Sequence, residues 1–225
     1  MISVVIVGEG QTEETFVRDV LLPVFVPDDI LLEARLIPTG PGGRGGALTF
    51  PRVLRYLRNT LRQRSDTYVT TLLDLYAVRS DFPGLAESRA LADPLQRARL
   101  LEERFGHAIS AEAGVRPERF VPNIQPYEFE SLLFSDVEKL TQLETGWETF
   151  REVLQAARDS APSPEHINDG PQTHPSARLE ILHPSFRKTL HGPLAAEHIG
   201  LAAIEQACAH FAAWLGRLRA LQPLA

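Results

Sequence analysis

Residues 2–14 read ISVVIVGEGQTEE, and this stretch decides the fold. An apolar, β-branched run ends in a Gly-Glu-Gly turn at residues 8–10, and a polar helix start follows at once. Such a run is typical of a buried strand in a parallel sheet. Thr12 suits the N-cap of the following helix, and Glu13 suits the positive end of its dipole. Glu9 is therefore expected at the carboxyl end of the first strand, where open α/β sheets place their ligand crevice. A metal ion is a frequent partner of such a carboxylate, and a solvated turn residue is the alternative.

Composition limits the class of protein. The chain has 225 residues, enough for one large domain or for a core with an appendage. Its net charge of −6 gives no overall positive field that would attract nucleic acid. The single cysteine, Cys208, excludes an internal disulfide framework and fits a reducing compartment. No segment has the pattern of a signal peptide or a membrane span, so a cytoplasmic protein without membrane association is expected.

Alternating strand and helix patterns follow the first strand. The predicted strands after it are residues 31–37, 68–75 and 120–125, and the predicted helices are 14–22 (ended by Pro23), 50–62, 95–113 and 128–134. This order predicts an α/β fold of the Rossmann-like kind, with a parallel sheet and helices on both faces. The composition changes after about Asp136. Residues 1–135 are therefore assigned to the α/β domain and residues 136–225 to a helical extension packed on it.

Acidic residues follow the ends of three predicted strands. They are Glu9, Asp74, Asp81, Glu128 and Glu130. The carboxyl ends of parallel strands meet at one edge of the sheet, so these side chains are expected to converge. Mg²⁺ prefers a few carboxylates together with waters, and two such ions stabilise both the attacking and the leaving oxygen of a phosphodiester. The alternative is that these acids only solvate loops and favour helix starts.

The opening motif and the later aspartates resemble the TOPRIM fold, which has a glutamate after its first strand and paired aspartates after its third. Glu9, Asp74 and Asp81 occupy the corresponding places. The aspartates of that fold are separated by one residue, whereas Asp74 and Asp81 are separated by six. TOPRIM domains occur in topoisomerases, primases and the OLD-type and related nucleases.

Two later segments are QPYEFESLLFSD at residues 125–136 and LHGP at residues 190–193. They resemble sequences of a bacterial TOPRIM-like family related to the OLD-type nucleases. Genes of that family often lie beside an AAA or SMC-like ATPase in anti-phage defence loci. The resemblance implies a hydrolase that cleaves DNA or RNA with Mg²⁺ or Mn²⁺ and has such an ATPase as its partner. It implies Glu9 and Asp74 as catalytic residues and as metal ligands, with Asp81 and Glu130 as further ligands.

Basic residues suggest where a nucleic acid would be held. Residues 35–64 contain arginines and no acidic residue. Arg44 belongs to a glycine-rich loop, and Arg52, Arg55 and Arg58 share one face of the predicted helix 50–62. A basic stripe beside an acidic metal crevice suits a nuclease, because the phosphate must be held. A solvated helix face is the alternative.

Two further basic residues, Lys188 and His191, are candidate phosphate contacts, with packed or surface side chains as the alternative. The chain has no Gly-Lys-Ser/Thr loop, so it is not expected to hydrolyse ATP itself.

The sequence therefore favours a metal-dependent nuclease acting in a two-component defence system. The second hypothesis is a catalytically silent subunit that docks on a partner ATPase and regulates it, and the third is a phosphatase- or primase-like phosphoryl enzyme. An apolar stripe of Phe211, Trp214, Leu215 and Leu218 is the predicted partner contact, with internal core as its alternative. An oligomer is also compatible with the sequence.

Overall fold

The computed structural model describes residues 1–38, 48–168, 170, 173–182 and 185–224. These residues form a parallel sheet of five strands in the order β2-β1-β3-β4, with β5 also pairing with β3. The strands are β1 (Ile2–Gly8), β2 (Ile30–Leu36), β3 (Thr67–Asp74), β4 (Phe120–Val121) and β5 (Ile124–Gln125). The predicted α/β fold with a parallel sheet is confirmed.

Helices connect and follow these strands. The α-helices are α1 (Gln11–Phe16), α2 (Leu22–Phe25), α3 (Phe50–Gln63), α4 (Leu85–Ser88), α5 (Pro94–Ala113), α6 (Val137–Gln142), α7 (Arg151–Asp159), α8 (Pro175–Leu182), α9 (Lys188–Ile199), α10 (Leu201–Ala207) and α11 (Ala209–Arg219). A π-helical turn, Val17–Leu21, joins α1 to α2, and a 3-10 turn, Phe129–Ser135, replaces the helix predicted after the last strand. Among the described residues, no helix has both the length and the apolar character needed to cross a membrane.

The two faces of the sheet carry alternate residues of each strand, as the period of two in a β-strand requires. Helices α3 and α5 pack on the face that includes Val5 and Leu73. Helix α1 and the C-terminal helices pack on the opposite face, which includes Ile6 and Leu72. The apolar run of β1 is therefore buried from both sides, and the predicted helices on both faces are confirmed.

The register of the sheet positions the strand ends that matter for function. Gly8 of β1 pairs with Leu72 of β3, so Glu9 and Asp74 both emerge at the carboxyl edge. Asp74 in turn pairs with Gln125 of β5, which places the following turn at the same edge. Pairing between parallel strands thus brings together residues that are far apart in sequence.

The first helix differs from its prediction at both ends. Its N-cap is Gly10 and not Thr12, because the Glu13 carboxylate accepts a hydrogen bond from the Gly10 N–H at 2.9 Å. Pro23 does not end the helical segment but lies in the first turn of α2. The π-helical turn before it changes the hydrogen-bonding register, which accommodates a residue without an N–H.

Residues 136–225 share a hydrophobic core with the sheet. The predicted partner-contact stripe lies inside this core, where Phe211, Trp214, Leu215 and Leu218 are completely buried. The Trp214 indole N–H also donates to Thr70 Oγ1 of β3 at 2.9 Å. The prediction that this stripe contacts a partner is therefore wrong, since amphipathic spacing serves an internal interface here.

Replacing Trp214 tests this placement. We expect Trp214→Ala to lower the free energy of unfolding by about 3–5 kcal/mol, because it leaves a large cavity and removes the hydrogen bond from the indole N–H to Thr70 Oγ1. The measurement is urea denaturation followed by far-UV circular dichroism. Val153→Ala is the control, because Val153 is 55% exposed and its replacement should change stability by less than about 0.5 kcal/mol. Equal stability of the two variants would contradict the buried position.

Candidate active site at the carboxyl edge

Five carboxylates gather at the carboxyl edge of the sheet, and we call them the acidic group. Its members are Glu9, Glu13, Asp74, Glu128 and Glu130. Glu9 follows β1, Asp74 ends β3, and the last two flank the start of the 3-10 turn after β5. The ends of β1 and β3, the first turn of α1 and the start of this 3-10 turn therefore supply the five members.

Backbone hydrogen bonds fix Glu9 and Asp74. Glu9 Oε1 accepts the Asp74 N–H at 2.7 Å, and Asp74 Oδ1 accepts the Phe129 N–H at 2.9 Å. These two bonds join β1, β3 and the 3-10 turn. Among the described residues, no donor is bonded to the second carboxylate oxygen of either side chain. One oxygen of each is thus left to contact a ligand.

Both carboxylate oxygens of Glu128 accept hydrogen bonds. Its Oε1 accepts hydrogen bonds from His174 Nδ1 at 3.0 Å and from the Ser176 N–H, and its Oε2 accepts the Ser176 hydroxyl at 2.9 Å. Its pKa is lowered: burial alone raises it, but Lys188 and the contacts with Ser176 and His174 outweigh burial. Glu128 therefore holds the segment before α8 and stays ionised.

Lys188 is the cation that enters the acidic group. Its Nζ lies 3.4 Å from Glu128 Oε2 and 3.6 Å from Glu130 Oε2. Gly192, one turn further along α9, allows this approach, since a Cβ there would lie 3.2 Å from Thr12 Cγ2 and 3.3 Å from the Phe129 ring. Burial lowers the pKa of Lys188, but Glu130 and Glu128 raise it more, so the amine is charged.

The remaining four acids have raised pKa values, and burial is the main cause. Burial raises the pKa of Glu9 to about 8 and that of Glu130 to about 7. Burial, and then Glu9 and Glu13, hold the pKa of Asp74 well above its usual range. Burial also raises the pKa of Glu13. Without a further cation, part of the acidic group is protonated at neutral pH.

Such a set of carboxylate oxygens fits a hard divalent cation such as Mg²⁺ or Mn²⁺. Glu9, Asp74 and Glu130 are the side chains that could hold it, because burial raises the pKa of each carboxyl and no described cation compensates it fully. Across the described ranges, no three Asp, Glu, His or Cys side chains already form a metal-binding group. Binding would therefore require these carboxylates to move closer together.

Two predicted site residues lie elsewhere. The Asp81 carboxylate is exposed and accepts the Phe50 N–H at 3.0 Å, so it caps the first turn of α3 and is not in the acidic group. The His191 ring is buried, accepts the Arg187 N–H at 2.8 Å and packs against Trp147. Burial lowers the pKa of His191. It is a packed side chain and not a phosphate contact.

Only some arginines of the predicted basic stripe are available to contact a ligand. Arg44 lies outside the described residues. Arg52 donates to the carbonyl of Pro38, which holds the end of the segment after β2. Arg55 is exposed, whereas Arg58 is partly buried, and its buried Nε has no hydrogen-bond partner in the part of the chain that the structure describes. Of these two, Arg55 is therefore the more open to a ligand.

Sequence reasoning missed an aromatic pair beside the acidic group. Tyr76 is 46% exposed, its ring lies 5.6 Å from that of Tyr127, and its N–H donates to the Tyr127 carbonyl. Tyr127 has a φ of 59°, which is unusual for a residue other than glycine. Each tyrosine lies two residues beyond a strand end, a signal that the sequence contains. His174 and Ser176 were also missed, because their link to Glu128 is not local.

A family model described as "Domain of unknown function (DUF4276)" matches residues 8–219. The chain belongs to the DUF4276 family. The matched range contains the whole acidic group, both tyrosines and Lys188. No curated protein and no solved structure matches the chain.

The raised pKa of Glu9 gives the metal-free protein a distinct pH dependence. A carboxyl with a folded pKa of about 8 and an ordinary value of 4.5 binds its proton more tightly in the folded state. The free energy of unfolding should therefore fall as pH rises between those two values. In Glu9→Gln the free energy of unfolding should fall less over this pH range, because the side chain at position 9 no longer titrates.

The measurement is urea denaturation at several pH values from about 5 to about 8, with a chelator present to keep the protein free of metal. Glu152→Gln, at an exposed acid of α7, is the control and should follow the wild type. Parallel curves for wild type and Glu9→Gln would show that Glu9 is not the titrating group.

Proposed function

We propose that this DUF4276 protein is a nuclease that hydrolyses phosphodiesters of DNA or RNA with Mg²⁺ or Mn²⁺. The observation that carries the proposal is the placement of Glu9 and Asp74 at neighbouring strand ends. Each carboxylate has one oxygen that accepts no hydrogen bond from the described residues. The resemblance of the opening motif to the TOPRIM fold supports the same assignment. A divalent cation, when bound, neutralises phosphate charge and activates the attacking water.

The side chains would divide the remaining work. With its pKa raised to about 8, Glu9 is suited to accept the proton of the attacking water. Asp74 and Glu130 would hold the cation. Lys188 Nζ would add positive charge beside the phosphate while it keeps Glu128 ionised.

Two sets of side chains suit a nucleic acid. The exposed Tyr76 ring offers a face on which a base can stack. The exposed Arg55 can contact phosphates from the outer face of α3, and Arg58, which is partly exposed, can add a second contact. Together they would hold a strand without reading its sequence.

The biological setting is proposed from the resemblance alone. It comprises an effector role in anti-phage defence, an AAA or SMC-like ATPase as partner, and the cytoplasm as compartment. A single buried cysteine, Cys208, is compatible with that compartment.

A catalytically silent subunit that regulates a partner ATPase is the second candidate. One observation favours it: Lys188 already pairs with Glu128 and Glu130 and acts as a fixed cation. In that case the acidic group would only link α9 to the sheet edge.

A cleavage assay separates the two candidates. Purified protein with Mn²⁺ or Mg²⁺ should cleave single-stranded DNA or RNA, and Glu9→Gln and Asp74→Asn should each reduce the rate by roughly 10²–10⁴-fold. At about 100 times its dissociation constant, the metal should also raise the Tm of the wild type by roughly 5–10 °C.

Glu152→Gln should retain both cleavage and metal stabilisation, since Glu152 is exposed on α7. Absence of cleavage together with equal Tm shifts in wild type and Glu9→Gln would reject the nuclease. Those results would leave the catalytically silent subunit as the remaining candidate function.

The arginine contacts can be tested separately. Arg55→Gln should weaken binding to every DNA and RNA oligonucleotide by a similar factor, because phosphate contacts carry no sequence information. The slope of log affinity against log salt should decrease by about 1. Fluorescence anisotropy over a range of salt concentrations measures both effects.

The matched control is Arg18→Gln, because Arg18 is an exposed arginine whose described hydrogen bonds are to its neighbour Asp19. If Arg55→Gln and Arg18→Gln bind alike, the face of α3 is an ordinary solvated surface.

A further inference from the structure

A cavity of about 270 Å³ lies between α5 and α11, apart from the residues of the acidic group. Its lining residues are Leu95, Arg99, Glu102, Ala209, His210, Ala213 and Arg217. The volume lies just below the range of about 300–1,000 Å³ that is typical of ligand pockets, which suits a small molecule and excludes a polynucleotide. Nothing in the proposed nuclease reaction uses these residues.

A buried, hydrogen-bonded pair of side chains lines this cavity. Glu102 and His210 are 6% and 7% exposed, and His210 Nε2 lies 2.8 Å from Glu102 Oε1. Glu102 Oε1 also accepts the Ile124 N–H at 2.9 Å. A carboxylate can only accept, so Nε2 donates to it, and the ring is fixed with Nδ1 as the remaining polar atom. Nδ1 has no hydrogen-bond partner among the residues that the structure describes.

Two guanidinium groups lie on the rim. Arg217 Nη2 donates to the Pro122 carbonyl at 2.9 Å and lies 3.5 Å from Glu102 Oε2. Arg99 Nε donates to the Leu95 carbonyl of its own helix at 3.2 Å. The other N–H groups of Arg99 and Arg217 have no partners in the described part of the chain. Two arginines against one carboxylate leave the cavity with an excess of positive charge.

We propose that this cavity binds a small organic oxyanion, either a phosphate monoester or a carboxylate. Arg99 and Arg217 would hold the oxyanion, since guanidinium groups match the geometry of both. His210 Nδ1 would make a further polar contact, and the side chains of Leu95, Ala209 and Ala213 would contact the apolar part of the ligand.

A purely structural role explains Glu102 and His210, which connect α5, β5 and α11. It does not explain Arg99, whose described hydrogen bond stays within its own helix. Arg99 is thus the residue whose replacement separates a binding site from a structural contact.

Calorimetric titration tests the proposal with two probes, adenosine 5′-monophosphate for the phosphate monoester and benzoate for the carboxylate. One of them should bind saturably with one site per chain, which identifies the oxyanion. Arg99→Gln should weaken that binding about tenfold or more, as expected for a lost charged hydrogen bond. Arg18→Gln should bind as the wild type does. No saturable binding of either probe, or unchanged binding by Arg99→Gln, would overturn the proposal.

Ring signals of histidine in NMR spectra locate the bound probe. The His210 signals should shift during the titration, whereas those of the exposed His107 and His198 should not. Glu9→Gln should bind the probe with unchanged affinity, because Glu9 belongs to the acidic group. A titration that shifts no His210 signal, or that Glu9→Gln abolishes, would place the ligand elsewhere and reject this cavity.

Discussion

The hydrogen bond from the Asp74 N–H to the Glu9 carboxylate joins β1 and β3 where both strands end. Peptide groups at strand ends lack ladder partners and need other acceptors when protein surrounds them. Here a carboxylate fills that need and is thereby held at the sheet edge. Asp74 repeats the arrangement with the Phe129 N–H. The same two bonds therefore fix the backbone at the edge and concentrate negative charge there.

The negative charge at this edge is paired with side chains from the C-terminal part of the chain. Lys188 enters from α9, and His174 and Ser176 bind Glu128 from the segment at the start of α8. The residues assigned to a helical extension thus complete the acidic group that the strands begin. Gly192 matters for the same reason, since a side chain there would push α9 away from α1. The site depends on the packing of the whole DUF4276 domain and not on the sheet alone.

The strand pattern and the convergence of Glu9, Asp74 and Glu130 could be predicted, because parallel pairing puts every carboxyl end at one edge. Asp81 could not be placed, since the direction of a loop after β3 depends on the unpaired N–H at the start of α3. The Trp214 stripe shows a second limit: a helical period identifies an apolar face but not what covers it. The pairing of Glu128 with His174 and Ser176 is tertiary and leaves no local pattern.

Stability alone does not account for the acidic group. Burying a carboxylate without full compensation is unfavourable, and well-packed apolar or neutral side chains at such places are often neutral or stabilising. Glu128 is compensated by four described contacts, including Lys188. Glu9 and Asp74 are not, and burial raises the pKa of both. A fold that only needed acceptors for the Asp74 and Phe129 N–H groups could use amide oxygens at the same positions. Carboxylates add one property that amides lack, which is a charge able to attract a cation. In the function proposed above, that charge would attract the divalent cation.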